Sequence, residues 1–256
     1  MADPGMTRPT LPMADTFRNA LIVAPPSMRS LGPATTFAFL VVLAKEAAHT
    51  LMADAAAPVR FHEDIFLVDG ICTILLAPYW MAMFRTIIGV DGSVQAIVTG
   101  RAGPFQDFLA LELFWLLVSG VLDRVLSTDT FGSARVIPGL SAWIAILILQ
   151  IWTSMLAPAL AAGAPDANLR AVIAMTRGSA GRIGLILVAA ILPLGFIDRM
   201  LHGSERAGAD LSPFVLAIRI LASALIEMAM LVLVTALLAE IYRWLRAPGR
   251  GVTLQP

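Results

Sequence analysis

The chain is short of cysteine and histidine, and this shortage excludes several kinds of site. Its one cysteine, Cys72, excludes an internal disulfide and a metal site built from cysteines. Its three histidines, His49, His62 and His202, lie too far apart in the sequence to suggest the paired axial ligands of a membrane cytochrome. We therefore predict neither a cofactor nor a metal site.

Charge is also scarce. Charged residues make up 14% of the 256 residues and the formal net charge is zero, so the composition gives no indication of a nucleic-acid partner. Hydrophobic residues make up 58%, with a mean hydropathy of +0.82, whereas a soluble domain is typically about 45–50% apolar and about 25% charged. The apolar residues fall in long blocks, which indicates that the bilayer is the solvent of this chain.

Lysine is nearly absent. The 18 cationic residues are 17 arginines and one lysine, a bias typical of GC-rich bacterial genomes, and we expect a multi-pass protein of the bacterial cytoplasmic (inner) membrane. Asp3 and Asp15 occupy the region where a signal peptide would be basic, and no apolar run begins before about Thr36. The N-terminus is therefore not expected to be a cleavable signal peptide.

Six apolar segments are long enough to cross the hydrocarbon layer, which takes roughly 20 residues of helix. They cover residues 33–53, 65–88, 105–126, 138–162, 183–200 and 213–242. The sequence thus predicts an all-α, polytopic integral membrane protein with a six-span transmembrane domain in residues 33–244. Residues 1–32 are predicted to form a cytoplasmic segment with a surface helix, and residues 245–256 a cytoplasmic tail.

Two further segments are amphipathic and are predicted to lie as helices on the membrane surface. The first, Asp15–Ala24, begins at an aspartate that suits an N-cap and is predicted to end at Pro25-Pro26. The second, Asn168–Arg177, begins at an asparagine that suits the same role and is predicted to end at Gly178.

Arginines in the loops predict the orientation, because cytoplasmic loops carry an excess of Lys and Arg. With the N-terminus inside, 11 cationic residues fall on the cytoplasmic side and five on the other side. The cytoplasmic residues are Arg8, Arg18, Arg29, Arg85, Arg101, Arg170, Arg177, Arg182, Arg243, Arg246 and Arg250, and the outer ones are Arg60, Arg124, Arg135, Arg199 and Arg206. We predict that both termini are cytoplasmic.

Residues 168–184, NLRAVIAMTRGSAGRIG, contain three arginines and three glycines. A nucleotide-binding P-loop is excluded, because it needs a lysine followed by Ser or Thr. A rhomboid-type serine site is disfavoured, since Ser179 falls at the cytoplasmic edge and the sixth span has no histidine. The coupling loop of an ABC transporter permease is a third interpretation, but the glutamate of that motif is missing. We predict that the arginines contact lipid headgroups or a partner: Arg170, Arg177 and Arg182.

Charges inside the spans are the main candidates for function. Each costs about 2.5–3.5 kcal/mol on insertion scales, so such a residue usually faces the bundle interior and has a partner there. Lys45 and Glu227 fall at similar depth near mid-membrane, whereas Asp69 and Arg219 fall nearer the outer surface. Matched depth and opposite sign predict two ion pairs, Lys45 with Glu227 and Asp69 with Arg219.

The buried charges also allow a functional interpretation. A proton or ion path could run through Glu46, His49 and Glu227, which lie at comparable depth in the first and sixth spans. Glu112, near the start of the third span, is instead predicted to reach the cytoplasmic interface.

Several segments resemble motifs of a broad group of uncharacterised six-span bacterial membrane proteins related to the membrane domain of glycerophosphoryl diester phosphodiesterases. These segments are APYWMAMFRTIIGVDG at the end of the second span, ARVIPGLSAW before the fourth, and IAMTRGSAGRIG before the fifth. The tryptophans usual around the Thr-Arg-Gly element are absent from this chain. The resemblance implies a fold rather than a reaction, because the hydrolase of the named enzymes is a separate domain.

These observations favour a non-enzymatic integral membrane protein, a subunit or accessory factor that acts through lipid or helix–helix contacts. The alternative is a transport protein, either a permease subunit or a proton-coupled carrier that uses the buried charges. A membrane enzyme ranks third, because the sequence contains no evident nucleophile–base pair. The expected partners are membrane lipids and other membrane-protein subunits.

Overall fold

Helices account for most of the residues that the computed structural model describes, which are 11–54, 63–100, 104–127, 136–203 and 212–247. No strand occurs among them. In chain order the helices are α1 (Met13–Ser30), α2 (Gly32–Asp54), α3 (Glu63–Ile88), α4 (Val94–Val98), α5 (Phe105–Ser127), α6 (Val136–Thr153), α7 (Leu156–Ala161), α8 (Leu169–Thr176), α9 (Ala180–Gly203) and α10 (Pro213–Arg246).

Six segments of the described residues are long and apolar enough to cross a membrane. They are Gly32–Met52, Glu63–Ile88, Phe105–Leu122, Ile144–Ala161, Ala180–Asp198 and Pro213–Arg246. The predicted all-α, six-span fold class is therefore confirmed.

The last helix illustrates how local sequence sets the bounds of a span. Ser212 caps α10 by accepting a hydrogen bond from the Val215 backbone N–H at 3.4 Å, and Pro213 stands in the first turn, where no N–H is needed. The 34 residues of α10 make a helix about 50 Å long. Because the hydrocarbon core is about 30 Å thick, α10 extends past it.

The helices α3 and α10 form the centre of the bundle. α10 packs against α9, α2, α3 and α1, and α3 packs against α2 and α5 as well. Fully buried alanines lie on both central helices, among them Ala77, Ala82, Ala224, Ala236 and Ala239. Small side chains let helix backbones approach closely in a membrane, where van der Waals packing replaces the hydrophobic effect. α6 lies further out and packs mainly on α8 and α9.

The surface helix α1 is longer than predicted. It begins after Pro12, so Asp15 lies in its first turn rather than at the N-cap, and it continues through Pro25 and Pro26 to Ser30. The prediction that the two prolines end this helix was wrong. α1 packs on α10, α3, α2 and α9, and it buries one face that includes Ala20. Neighbouring helices can hold a proline-containing helix together in a membrane protein.

The fourth span is two helices rather than one. α6 ends at Thr153 and α7 begins at Leu156, so a short turn interrupts the helix within this span, which runs from Ile144 to Ala161 and overlaps the predicted segment 138–162. Pro158 has no N–H for the Ser154 carbonyl, and its ring clashes with that carbonyl in a straight helix, which places the break one turn before the proline. The hydroxyl of Thr153 donates to the Leu149 carbonyl at 2.9 Å. α7 is buried, whereas α6 exposes much of its surface.

Buried Arg85 joins three segments at one end of the bundle. It stands in the last turn of α3, and only 7% of it is exposed. Its guanidinium donates to the Asp91 carbonyl in the turn before α4 and, at 2.8 Å, to the Ala161 carbonyl at the end of α7. Arg85 therefore satisfies one carbonyl in the turn before α4 and one that the end of α7 would otherwise leave unpaired.

Further contacts at this end agree with the predicted alternation of the spans. They are Arg246 to Asp166, and Arg182 to the Leu11 carbonyl at 3.2 Å. At the opposite end, Arg124 donates to Glu63 at 3.0 Å and joins the end of α5 to the start of α3. The relative topology thus matches the prediction, while the orientation in the membrane stays a prediction. Six of the arginines that predict it lie outside the described residues: Arg8, Arg60, Arg101, Arg135, Arg206 and Arg250.

Close packing of α3 on α5 gives a first testable prediction. A Cβ at Gly120 would lie 2.4 Å from Cε2 of the Phe66 ring. Overpacking of this kind typically costs about 1–3 kcal/mol, so Gly120→Ala should lower the free energy of unfolding in detergent. Adding Phe66→Leu should recover part of the loss.

Gly195→Ala in α9 is the matched control. A Cβ at Gly195 would meet no atom within 4 Å, and alanine is the better helix former by about 1 kcal/mol. This variant should be as stable as the wild type or slightly more stable. Equal stability of the two alanine variants would contradict the packing described for Gly120.

Candidate functional site: a charged cluster beside an apolar cavity

An ion pair between the first and last spans lies at the heart of the candidate site. The Lys45 ammonium on α2 donates to Glu227 Oε1 on α10. Only 16% of the lysine side chain and 24% of the glutamate side chain are exposed. The first predicted pair is therefore confirmed.

A second carboxyl group adjoins this pair. Glu46 is 7% exposed, and its carboxyl group lies against that of Glu227. Two carboxylates at such close range repel each other, unless a proton or another cation compensates one of them. The Lys45 ammonium alone cannot neutralise both.

Asp69 completes the group of acidic side chains and differs from its predicted role. The structure places its Oδ1 3.0 Å from His49 Nε2, and not against Arg219. His49 stands one helical turn after Lys45, so the two side chains leave α2 on the same side. Arg219 stands eight residues before Glu227 on α10, about 12 Å further along the helix axis, and is buried there with an interaction of its own.

We call these five side chains the charged cluster: Lys45, Glu46, His49, Asp69 and Glu227. It contains three carboxyl groups, but only one ammonium group and one imidazole. Of the six buried charged residues that the sequence singles out, the structure brings five together in this cluster and places Arg219 elsewhere on α10. The cluster has more potential negative charge than positive charge at membrane depth, where net charge is costly.

A cavity of about 530 Å³ opens beside the charged cluster. Its walls come from α2, α3, α5, α7, α9 and α10. Besides Lys45, His49, Asp69 and Glu227, the lining residues are Cys72, Thr73, Leu76, Trp80, Phe84, Glu112, Leu116, Ala157, Ile191, Met230, Leu231, Val234, Thr235 and Leu238. A mostly apolar cavity of this size with a few converging polar groups is typical of small-molecule sites.

The cavity reaches the lipid-facing surface of the bundle. Ile191, one of its lining residues, stands near the middle of α9 and is 41% exposed. Since α9 spans the membrane, this edge of the cavity faces the hydrocarbon and not the water on either side. Glu112 also lines the cavity, so the prediction that it reaches the cytoplasmic interface was wrong.

The arginines of the α8 region lie elsewhere. Arg170, Arg177 and Arg182 are exposed, and Arg182 also donates to the Leu11 carbonyl. The opposite face of α8 is buried at Val172 and Thr176. Contact of these arginines with lipid headgroups stays a prediction, and the structure does not bring them to the charged cluster.

The predicted ends of α8 are confirmed. Asn168 Oδ1 accepts a hydrogen bond from the Ala171 backbone N–H at 2.9 Å and so caps the helix. Gly178 follows the helix with φ of +92°, a conformation that glycine adopts without steric cost.

Sequence reasoning missed the apolar wall of the cavity. The lining residues of α10 recur at positions 227, 230, 231, 234, 235 and 238, which is one face of a helix. In a membrane helix the lipid-facing side is equally apolar, so amphipathic periodicity does not distinguish the two sides. The charges alone could have indicated which face of α10 points inward.

We also looked for groups of metal ligands in the described residues and compared the chain with known proteins. Among the described residues, no three His, Cys, Asp or Glu side chains are grouped so that they could hold a metal ion. No protein family model, curated protein or solved structure matches the chain. The resemblance to the phosphodiesterase membrane domain therefore stays a prediction.

The buried ion pair gives a prediction about stability. Lys45→Met removes the cation next to two buried carboxyl groups, and breaking a buried pair in this way typically costs about 3–5 kcal/mol. Glu227→Gln, which removes one of those carboxylates, should therefore lessen the effect of Lys45→Met. Unfolding of both single variants and the double variant in detergent measures the coupling, and additive losses would contradict it.

Proposed function

We propose that the protein is a membrane carrier that couples the movement of a small solute to proton binding at the charged cluster. The observation that carries this proposal is the position of an acid-rich cluster on the wall of a large, mostly apolar cavity. Structural ion pairs in a bundle need balanced charge and dense packing. This site has surplus carboxyl groups and open space beside them.

The charge balance supports proton coupling. With every carboxyl ionised and the imidazole neutral, the cluster would carry two more negative than positive charges in a medium of low dielectric constant. Binding of protons or of a cationic solute relieves this excess. The imidazole of His49, whose Nε2 lies 3.0 Å from Asp69 Oδ1, adds a further polar group to the same wall of the cavity.

The helix arrangement supports movement around the cavity. The break between α6 and α7 lies where Pro158 prevents a continuous helix, and Ala157 of α7 forms part of the cavity wall. Broken helices and short helix segments beside a binding site are features of many transporters. α7 could therefore shift relative to α6 without breaking regular hydrogen bonds in either helix.

Proton flux in liposomes tests the carrier proposal. Purified protein is reconstituted with pyranine inside as the pH indicator, a pH difference is imposed, and an organic cation, an organic anion or a sugar is added. We expect at least one solute to speed the collapse of the pH difference by about tenfold through the wild type, and not through Glu227→Gln, because this variant lacks the carboxylate proposed to bind the proton.

Glu63→Gln is the matched control for this experiment. It is the same chemical change at a carboxylate that stands at the start of α3, has a side chain 77% exposed and does not line the cavity. This variant should behave as the wild type. If no solute moves protons faster through the wild type than through Glu227→Gln, the carrier proposal is wrong.

A second candidate is the accessory subunit that the sequence favours. An apolar groove of about 560 Å³ lies between α1, α2, α9 and α10 and includes Leu21 and Leu225, which are 50% and 54% exposed. Such a groove suits a helix of another membrane protein or a lipid chain. A photoreactive amino acid at position 225 should then crosslink to one defined membrane protein in cells, and crosslinking to lipid alone would contradict this candidate.

The bacterial cytoplasmic membrane is the location we propose. The bias toward arginine over lysine and the distribution of arginines along the chain support it. The exposed Arg170 and Arg177 on α8 would then face anionic lipid headgroups on the cytoplasmic side.

A further inference from the structure

The chemistry of the cavity wall indicates which class of solute it takes. This inference rests on the proposed function, since it names the solute of that carrier. Three observations bear on it: the sign of the charge in the cluster, a buried oxygen atom that has no hydrogen-bond donor, and the shape of the apolar remainder of the cavity.

The sign of the charge excludes an anionic solute. Four members of the charged cluster line the cavity, and two of them are the carboxylates Asp69 and Glu227. Glu46 adds a third carboxyl group directly behind Glu227. An anion would meet their repulsion in a medium of low dielectric constant, whereas a cation would relieve it.

A free acceptor on Glu227 indicates that the cation carries N–H groups. Lys45 occupies Oε1 of this carboxylate, while Oε2 is buried and has no hydrogen-bond donor among the described residues as long as the adjacent carboxyl group of Glu46 is ionised. A buried acceptor without a donor costs free energy. The ammonium group of a primary or secondary amine offers two or three N–H donors, whereas a quaternary ammonium or a metal cation offers none.

The rest of the cavity suits an apolar body. From Glu227 to Leu238 the wall of α10 runs for about 16 Å, and across it lie Leu76 and Phe84 of α3. The cavity opens at Ile191 toward the hydrocarbon, so a solute dissolved in the bilayer can enter from the side. We propose that the cavity binds lipophilic primary or secondary amines, with the ammonium group at Glu227 and Asp69.

Binding of such an amine explains how proton coupling arises. The protonated amine and free protons compete for the same carboxylates, so arrival of one ammonium group displaces one proton from the cluster. The charge of the cluster is then the same before and after the exchange. No bond other than that to the proton forms or breaks in this step.

Cys72 makes the inference testable, because it is the chain's one cysteine and lines the cavity. Methanethiosulfonate reagents convert its thiolate to a mixed disulfide and release methanesulfinate. The aminoethyl reagent is cationic and the sulfonatoethyl reagent of similar size is anionic. After correction for their rates with a free thiol, the cationic reagent should react at least about tenfold faster with the wild type.

Protection of Cys72 then identifies the amine. Octylamine at a saturating concentration should slow its modification at least about fivefold, whereas octanol, which has the same chain and no charge, should not. Octyltrimethylammonium, a cation without N–H groups, should protect less than octylamine. Equal protection of Cys72 by octanol and octylamine would overturn the amine proposal. So would equal rates of Cys72 modification by the cationic and the anionic reagent, and both measurements need only the wild-type protein.

Two variants connect the result to Glu227. Glu227→Gln should remove most of the preference for the cationic reagent, and Thr235→Val, which changes the cavity wall two helical turns away, should keep it. If the liposomes show proton flux that depends on Glu227 but Cys72 shows no preference for the cationic reagent, the amine is refuted as the solute and the carrier proposal is retained. A cation preference without any difference in octylamine-driven proton flux between the wild type and Glu227→Gln would refute the carrier.

Discussion

The ion pair between Lys45 and Glu227 is the interaction on which the rest of the bundle depends. It joins the first span to the last, and the first span is the least apolar of the six, with a mean hydropathy of 1.2 against 2.4 for the last. Without a partner, the ammonium group of Lys45 would oppose the insertion of α2. With the pair formed, α2 packs between α3 and α10, and the two central helices acquire the arrangement that leaves a cavity beside the pair.

The same pair leaves the protein with an imbalance that packing does not remove. Glu46 and Asp69 bring more carboxyl groups to the site than the Lys45–Glu227 pair needs, and a cavity of about 530 Å³ lies beside the cluster. Sites that oppose stability in this way are where function is expected, since natural proteins give up stability mainly where activity requires it. A cluster that served stability alone would be balanced and closely packed.

Much of the architecture could be predicted from the sequence, because it follows from patterns within single segments. Apolar length predicted six spans, matched depth predicted the Lys45–Glu227 pair, and side-chain chemistry predicted the cap at Asn168 and the end at Gly178. The predictions were wrong where contacts with neighbouring helices determine where a helix ends or which side chains meet. α1 continues through Pro25 and Pro26 because neighbouring helices pack against it. In the fourth span, by contrast, a turn interrupts the helix shortly before Pro158. Asp69 lies against His49 because the register of α2 on α3 places it there, and no single segment encodes that register.

The distance in sequence between Lys45 and Glu227 has a consequence for biogenesis. The two residues are 182 positions apart, so at about 5–20 residues per second the partner of Lys45 leaves the ribosome on the order of 10 to 40 s after it. During that interval Lys45 lacks the carboxylate that it contacts in the finished bundle. The first span is therefore made long before its pairing with the last one can form, and a chain that ends before α10 lacks the carboxylate that holds Lys45 in the bundle.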